Sequence, residues 1–155
     1  MATNEKKEML IDKNTKVVIL KGGVSDERKV SESTARSVAN ALRERGLKVL
    51  EITVKEENLP NLATEIRTLK PDVIFNALHG GIGENGVIQG LLETLKVPYT
   101  HSGVSASSIA MNKSISKKVF LSQNLPVIKG ILIRNANLCE EIPIKPPFVI
   151  KPNNG

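Results

Sequence analysis

Two glycine-rich segments carry the residue types from which a ligand site could be built. The first, GGVSDER at positions 22–28, follows a β-branched run and places Ser25, Asp26 and Glu27 where a helix should begin. Ser25 and Asp26 are predicted N-caps, and a helix start can hold an anion with its free N–H groups and positive dipole end. Glu27 could equally be an ordinary carboxylate stabilised by that dipole. The G-x-G-x-x-G spacing is missing, so this is not a dinucleotide-binding loop.

The second segment, HGGIGENG at positions 79–86, is the stronger of the two. Four glycines between Gly80 and Gly86 give an open backbone beside His79. A histidine at a strand end could hydrogen-bond a carboxylate or transfer a proton, although a lone histidine is more often structural. Glu84 and Asn85 can cap the following helix, which alone would explain their presence. Two histidines and one cysteine are not at metal-ligand spacing.

Two lysines occupy positions that favour an anionic partner. Lys113 opens a predicted helix, and Lys151 ends an apolar run near the end of the sequence. A lysine at the end of a buried strand must direct its ammonium group to an anion or to solvent, and phosphate is a natural anion. Until another feature joins the two residues, the simpler interpretation is that both are solvated.

Composition excludes several classes of protein. The chain has 155 residues, 40% of them apolar and 25% charged, as in soluble globular proteins. No apolar run reaches 18 residues, and the first 15 residues have no signal-peptide core, so no membrane partner is expected. The single Cys139 is compatible with the reducing cytoplasm. The net charge of +6 suggests an anionic partner, but one tyrosine, three phenylalanines and no tryptophan argue against nucleic acid.

Apolar runs alternate with helical patterns along most of the chain. Strands are predicted at KVVILKGG, LKVLEITV, DVIFNALHGG and VPYT, and helices lie between them, the first ending at Gly46. Repeating strand and helix units favour an α/β fold with a parallel sheet. Ligands of such sheets bind at the carboxyl ends of the strands, where both glycine-rich segments fall.

The pattern changes after residue 102. Residues 105–124 have helical periodicity, and the runs LPVIKGILIRN and PPFVIKPNNG are predicted to be β-strands separated by a loop. We therefore predict a flexible tail over residues 1–15, a first domain over 16–102 and the beginning of a second over 103–155. The last β-run has no sequence after it to cover its sheet, so the second domain is expected to be incomplete.

Four segments read together resemble the D-alanine–D-alanine ligase family. They are GGVSDERKVS, ALHGGIGENGVIQGLLE, VPYTHSGVSASSIAMNK and FVIKPNNG, in the family order and covering about residues 17–155. The resemblance implies a Rossmann-like parallel-sheet N-terminal domain followed by the truncated start of an ATP-grasp domain. Asn85 departs from the more usual aspartate in its turn, and Lys29 replaces a common acid.

The resemblance also implies an activity: ATP-dependent ligation of two D-alanines for peptidoglycan synthesis, through an acyl phosphate and with Mg²⁺. The residues that look like the family's functional residues fall into three groups. The catalytic ones are Glu27 and His79, those that bind the first D-alanine are Glu27, Val30, His79 and Glu84, and those that bind ATP phosphates are Lys113 and Lys151. The magnesium ligands are expected outside this sequence.

Several alternatives follow from the same sequence. By the resemblance, this chain is expected to be an N-terminal fragment that is inactive alone, and the whole enzyme is expected in the cytoplasm. Proteins that it resembles are commonly dimers, so a homodimer is one expected assembly, but the sequence leaves the oligomeric state open. A D-alanine–D-lactate ligase would look the same over these residues. A non-catalytic module that binds an amino acid or a nucleotide is the alternative from a different functional class.

Overall fold

The computed structural model describes residues 11–135 and 144–154 of the chain. Three strands and six α-helices follow one another along these residues, with one 3₁₀ helix over Glu56–Asn61. The first part contains β1 (Lys16–Gly22), α1 (Arg28–Glu44), β2 (Lys48–Val54), α2 (Leu62–Leu69) and β3 (Val73–Asn76). The remainder contains α3 (Gly81–Glu84), α4 (Val87–Leu95), α5 (Val104–Met111) and α6 (Lys113–Ser122).

The three strands form a parallel sheet in the order β2-β1-β3. The central strand β1 has Gly22 opposite Val54 on one side and Leu20 opposite Asn76 on the other. The α/β fold class with a parallel sheet is confirmed. The predicted strand at VPYT is wrong in extent, since Tyr99 makes only an isolated parallel bridge to Ile74.

The sheet lies between two layers of helices. Alternate residues of β1 point to opposite faces, so Val18 and Leu20 join a core with α2 and α4, whereas Val17 and Ile19 face α1. Both faces are covered, which explains why the strand reads as a continuous apolar run rather than as an alternating pattern. The small side chains of Ala35 and Ala39, both on α1, are buried between this helix and the sheet.

The start of helix α1 carries residues of the site described below. It begins after Glu27, which occupies the N-cap position without a side-chain hydrogen bond, so the prediction of Ser25 or Asp26 as the N-cap is wrong. Its other end is as predicted. Gly46 has φ +80°, and its N–H and that of Leu47 donate to the carbonyls of Arg43 and Leu42, the pattern of a Schellman motif.

Residues after 102 differ from the prediction in two respects. The predicted single helix is two helices, broken at Asn112, whose side chain caps α6 by accepting from Ile115 N–H at 3.0 Å. The two predicted β-runs form no regular strand in the described residues 125–135 and 144–154. The later run makes only an isolated antiparallel bridge, from Asn154 to Asn112. The division into domains at 15 and 102 stays a prediction.

A membrane-crossing helix is not found in the described part of the chain, where every helix is too short or too polar.

Candidate functional site

The two glycine-rich segments meet at the carboxyl ends of β1 and β3. These strands are neighbours in the sheet, so the loops that leave them lie side by side, as predicted. The Ser25 hydroxyl donates to the His79 carbonyl oxygen at 2.6 Å and joins the two loops directly. This contact links residues 54 positions apart in the sequence.

The imidazole of His79 is oriented by helix α1. Its Nε2 shares a hydrogen bond of 3.1 Å with the Thr34 hydroxyl, and the donor depends on the imidazole tautomer. The ring is half-buried. A hydroxyl partner fixes the direction of the ring without adding charge, so the ring keeps its capacity to donate or accept toward a ligand.

Two carboxylates approach Gly80, the residue after His79. Glu84 Oε2 accepts a hydrogen bond from Gly80 N–H at 2.8 Å, which holds the turn into α3. Glu27 also lies close to this residue, since a Cβ added to Gly80 would be 2.5 Å from Glu27 Oε2. Gly80 has φ +66° and ψ 174°, a conformation that is essentially restricted to glycine. The geometry thus brings together Glu27, His79 and Glu84.

Val30 lies on the same side of α1 as Glu27 and Thr34, because residues three and four apart are neighbours on a helix. Its side chain is 51% exposed. It is therefore an apolar group at the border of the Gly80 corner, the name used below for the surface formed by Glu27, Val30, Thr34, His79 and Gly80.

Two buried amides support the corner from beneath. Asn76 Nδ2 and Gln89 Nε2 both donate to the Gly83 carbonyl oxygen, each at 2.9 Å. Asn76 Oδ1 also accepts from Leu78 N–H at 3.2 Å, whereas Gln89 Oε1 is buried without a hydrogen-bond partner among the residues that the structure describes. These bonds fix the path of the chain on both sides of His79. Neither residue was predicted from the sequence.

Ser25 and Thr34 were also missed as residues of the site. Ser25 stood out in the sequence only as a predicted helix cap, and Thr34 was not singled out. The available signal was that both lie on the segment that follows a strand end, but their partner His79 is distant in the sequence.

The structure joins the segments that carry the two predicted phosphate-binding lysines. Lys113 N–H donates to the Asn153 carbonyl oxygen at 2.9 Å, and Ser114 N–H donates to Asn153 Oδ1 at 3.0 Å. Lys151 therefore lies on the segment that contacts the start of α6, and its side chain is exposed. These contacts place the two lysines on adjoining segments, separate from the bonds of the Gly80 corner.

The chemistry of the Gly80 corner suits a small zwitterion. Carboxylates beside an open backbone attract an ammonium group, and a neighbouring imidazole can hydrogen-bond a carboxylate. Within residues 11–135 and 144–154, no group of three or more His, Cys, Asp or Glu side chains is arranged to hold a metal ion.

Comparisons with known proteins show what the chain is similar to. The family model described as "D-ala D-ala ligase N-terminus" matches residues 54–102, a range that contains His79 and Glu84. The D-alanine–D-alanine ligase of Ruegeria sp. (strain TM1040) is 48% identical over 139 residues, which are 90% of this chain and 44% of that protein. The chain thus spans less than half the length of this curated relative.

Solved structures show the same likeness. The Bacillus anthracis D-alanine–D-alanine ligase complexed with ATP is 32% identical, with a TM-score of 0.61, over 72% of this chain and 35% of that one. The D-alanine–D-alanine ligase of Coxiella burnetii has a TM-score of 0.67 over 83% of this chain and 47% of that one. Because the two sequences are only 22% identical, this likeness shows a similar fold and nothing more. The chain is therefore similar in sequence and in fold to part of the D-alanine–D-alanine ligases, and residues 54–102 match the model of their N-terminus.

Proposed function

We propose that this chain supplies the first-substrate pocket of an enzyme that joins two D-alanines with the use of ATP. The observation that carries the proposal is the meeting of Glu27, His79 and Glu84 around Gly80. The similarity to ligases of that name supplies the substrate. The structure of a similar ligase complexed with ATP supports ATP as the second reactant.

The side chains in and beside the Gly80 corner have separate roles in this proposal. The Glu27 carboxylate binds the ammonium group of the first D-alanine, and Val30 borders the space for its methyl group. His79, oriented by Thr34, hydrogen-bonds the carboxylate end of the same molecule. Glu84 acts as a positioning residue, because its carboxylate is already bonded to Gly80 N–H.

The reaction proposed is a two-step acyl transfer. An oxygen of the first D-alanine's carboxylate attacks the γ-phosphorus of ATP, so an acyl phosphate forms and ADP leaves. The amine of the second D-alanine then attacks the acyl carbon, and inorganic phosphate leaves with the bonding electrons as the amine loses a proton. Positioning and neutralisation of charge account for most of such catalysis. Glu27, through the ammonium group, and His79, through the carboxylate, would hold the first D-alanine in place for phosphorylation.

Lys113 and Lys151 are proposed to bind the ATP phosphates. The hydrogen bonds from Lys113 N–H and Ser114 N–H to Asn153 support this role, since they connect the two segments. The use of Mg²⁺ stays a prediction. The homodimer and the cytoplasmic location stay predictions.

The substrate proposal is tested by titrating the ¹⁵N-labelled chain with D-alanine. We expect saturable shifts of the amide signals of His79 and Gly80, and about tenfold weaker binding in Glu27→Gln, since one charge-assisted hydrogen bond is lost. Glu44→Gln removes the same charge at the other end of α1 and should leave binding unchanged. L-Alanine should bind more weakly. Equal binding by both variants would contradict the role of Glu27.

The reaction proposal is tested by D-alanine-dependent phosphate release from ATP. The assay compares the 155-residue chain with the product of the complete open reading frame that encodes it. We propose that only a longer protein turns over, because the chain spans 44% of a similar ligase. Turnover by the 155 residues alone would contradict that part. Absence of D-alanine dependence in both proteins would favour the non-catalytic binding module.

A further inference from the structure

A second concave surface lies on the opposite flank of helix α1 from the Gly80 corner. It is a groove of about 660 Å³ between α1 and the edge strand β2. The helix buries Ser31, Ala35 and Ala39 against the sheet. At about 100° per residue, positions 30 and 34 fall on one side of this buried stripe, and positions 32, 36 and 43 fall on the other. The body of the helix therefore separates the two surfaces.

The groove is strongly basic. Five basic and two acidic side chains line it, a net charge of +3 in a chain whose total is +6. The basic residues are Lys21, Arg28, Arg36, Arg43 and Lys55. So many like charges around one concavity repel one another, and a bound anion would relieve that repulsion.

The two acidic side chains hold basic ones in place and do not fill the groove. Glu51 accepts from Lys21 Nζ at 2.6 Å and from Arg43 at 2.8 Å, one bond to each carboxylate oxygen, and Glu32 accepts from Arg28 at 3.0 Å. Hydrogen bonds from Lys21 and then Arg43 lower the pKa of Glu51, so it stays ionised at neutral pH. A guanidinium carries about five N–H donors, so Arg43 retains donors for a further acceptor.

Two basic side chains are left to bind an anion. Arg36 has no hydrogen-bond or ion-pair partner within the part of the chain that the structure describes. Lys55 contacts Glu57 at 3.1 Å, but the Glu57 side chain is 75% exposed, and such surface pairs exchange readily with water. Asn40 and Thr53 add neutral polar groups to the lining.

We propose that this groove binds the phosphate or diphosphate group of a small anionic ligand. Arginine side chains match phosphate oxygens with paired donors, and the groove presents three of them. No aromatic side chain is among the described residues that line it, so it offers no surface on which the bases of a nucleic acid strand would stack. The site is distinct from the ATP-phosphate lysines, Lys113 and Lys151, and does not depend on the proposed ligase activity.

The test uses inorganic pyrophosphate as the probe, titrated into the ¹⁵N-labelled chain at constant ionic strength. We expect saturable shifts of the amide signals of α1 and β2. The double variant Arg36→Gln/Lys55→Gln should bind about a hundredfold more weakly, about tenfold for each charged contact. Both residues are exposed, so the substitutions leave the core intact, and circular dichroism verifies the fold.

Two further variants make the outcome specific. Arg45→Gln removes an exposed positive charge just beyond the end of α1 but outside the groove, so binding should be unchanged. Lys113→Gln/Lys151→Gln should leave the shifts of α1 and β2 intact. The proposal is overturned if pyrophosphate gives no saturable shifts there, if Arg45→Gln weakens binding as much as the double variant, or if the lysine variant abolishes it.

Discussion

The described residues before and after position 102 use their apolar side chains in opposite ways. Every buried apolar side chain of the described chain lies between Val17 and Leu92. Beyond position 102, large apolar side chains are mostly exposed, including Phe120 at 47% and Ile150 at 79%. The first region therefore supplies its own core, whereas the second presents apolar residues for which the described chain supplies no cover.

The difference follows from pairing. Each strand of the first region has a partner, and both faces of β1 are covered by helices, so apolar burial and backbone hydrogen bonds reinforce each other. The apolar runs at 125–133 and 148–150 have strand-like composition, but no neighbouring strand accepts their backbone groups among the described residues. Composition alone does not make a strand.

Truncation of a leucine in each region should give the largest contrast. Leu20 is fully buried in the central strand, and Leu20→Ala should lower the free energy of unfolding by about 2–5 kcal/mol, from lost burial and the cavity left behind. Leu121 on α6 is 57% exposed, and Leu121→Ala should cost less than about 1 kcal/mol. Urea denaturation followed by circular dichroism measures both.

Equal losses of unfolding free energy in the two leucine variants would contradict the contrast in apolar burial between the two regions. That result would mean that α6 buries Leu121 against a surface outside the described contacts. An unchanged denaturant slope (the m-value) in both variants verifies that each loss is one of stability and not of compactness.

Adding a methyl group to a glycine in each region gives a contrast of intermediate size. An added Cβ would lie 2.5 Å from Glu27 Oε2 at Gly80 and 2.5 Å from Lys117 Nζ at Gly130. Of the two, only Gly80 has a positive φ, so Gly80→Ala should cost about 1–3 kcal/mol. Gly130→Ala should cost little, because the flexible end of the Lys117 side chain can move away from the added methyl group.

Thermal unfolding compares the two glycine variants, and NMR of the His79 imidazole reports on the site. Gly80→Ala should shift the His79 ring signals, because the Glu27 carboxylate must move and the turn that carries His79 is strained. Gly130→Ala should leave them unchanged. A stable Gly80→Ala protein with unaltered His79 signals would show that the corner does not need glycine.

The fold was predictable wherever local pattern and tertiary environment agreed. The apolar run of β1 and the glycine at position 46 predicted a buried strand and a helix end, and both are confirmed. Helical periodicity continued through Asn112, but its side chain caps α6 and breaks the helix there. Periodicity does not register such a cap, because the residues on both sides keep a helical spacing.

The candidate site was predictable in its segments but not in its contacts. The strand-end rule brings the two glycine-rich segments together, and the structure places Glu27, His79 and Glu84 there. The supporting residues were missed for a physical reason. Ser25 and Thr34 contact His79 across 54 and 45 residues, and Asn76 and Gln89 converge on a single carbonyl, so no local pattern marks them.

Ion pairing adds the smallest effect, a pH-dependent stabilisation of the first region. The pKa of Glu51 is lowered by hydrogen bonds from Lys21 and Arg43 below its ordinary value of 4.5. The stabilisation that the ionised Glu51 carboxylate gives to the folded state is therefore fully present above about pH 4.5. It is lost as the pH falls through the lower pKa of the folded state. Glu51→Gln should lower the free energy of unfolding by less than about 1 kcal/mol at about pH 7, because both basic partners are partly exposed.

Urea titrations between about pH 3 and pH 7 measure this effect. The free energy of unfolding of Glu51→Gln should fall less steeply with acid than that of the parent chain. Glu44 has no such pair among the described residues, so Glu44→Gln should retain the parent's profile. Coincident profiles for the two variants would show that the Glu51 pairs add no pH-dependent stability.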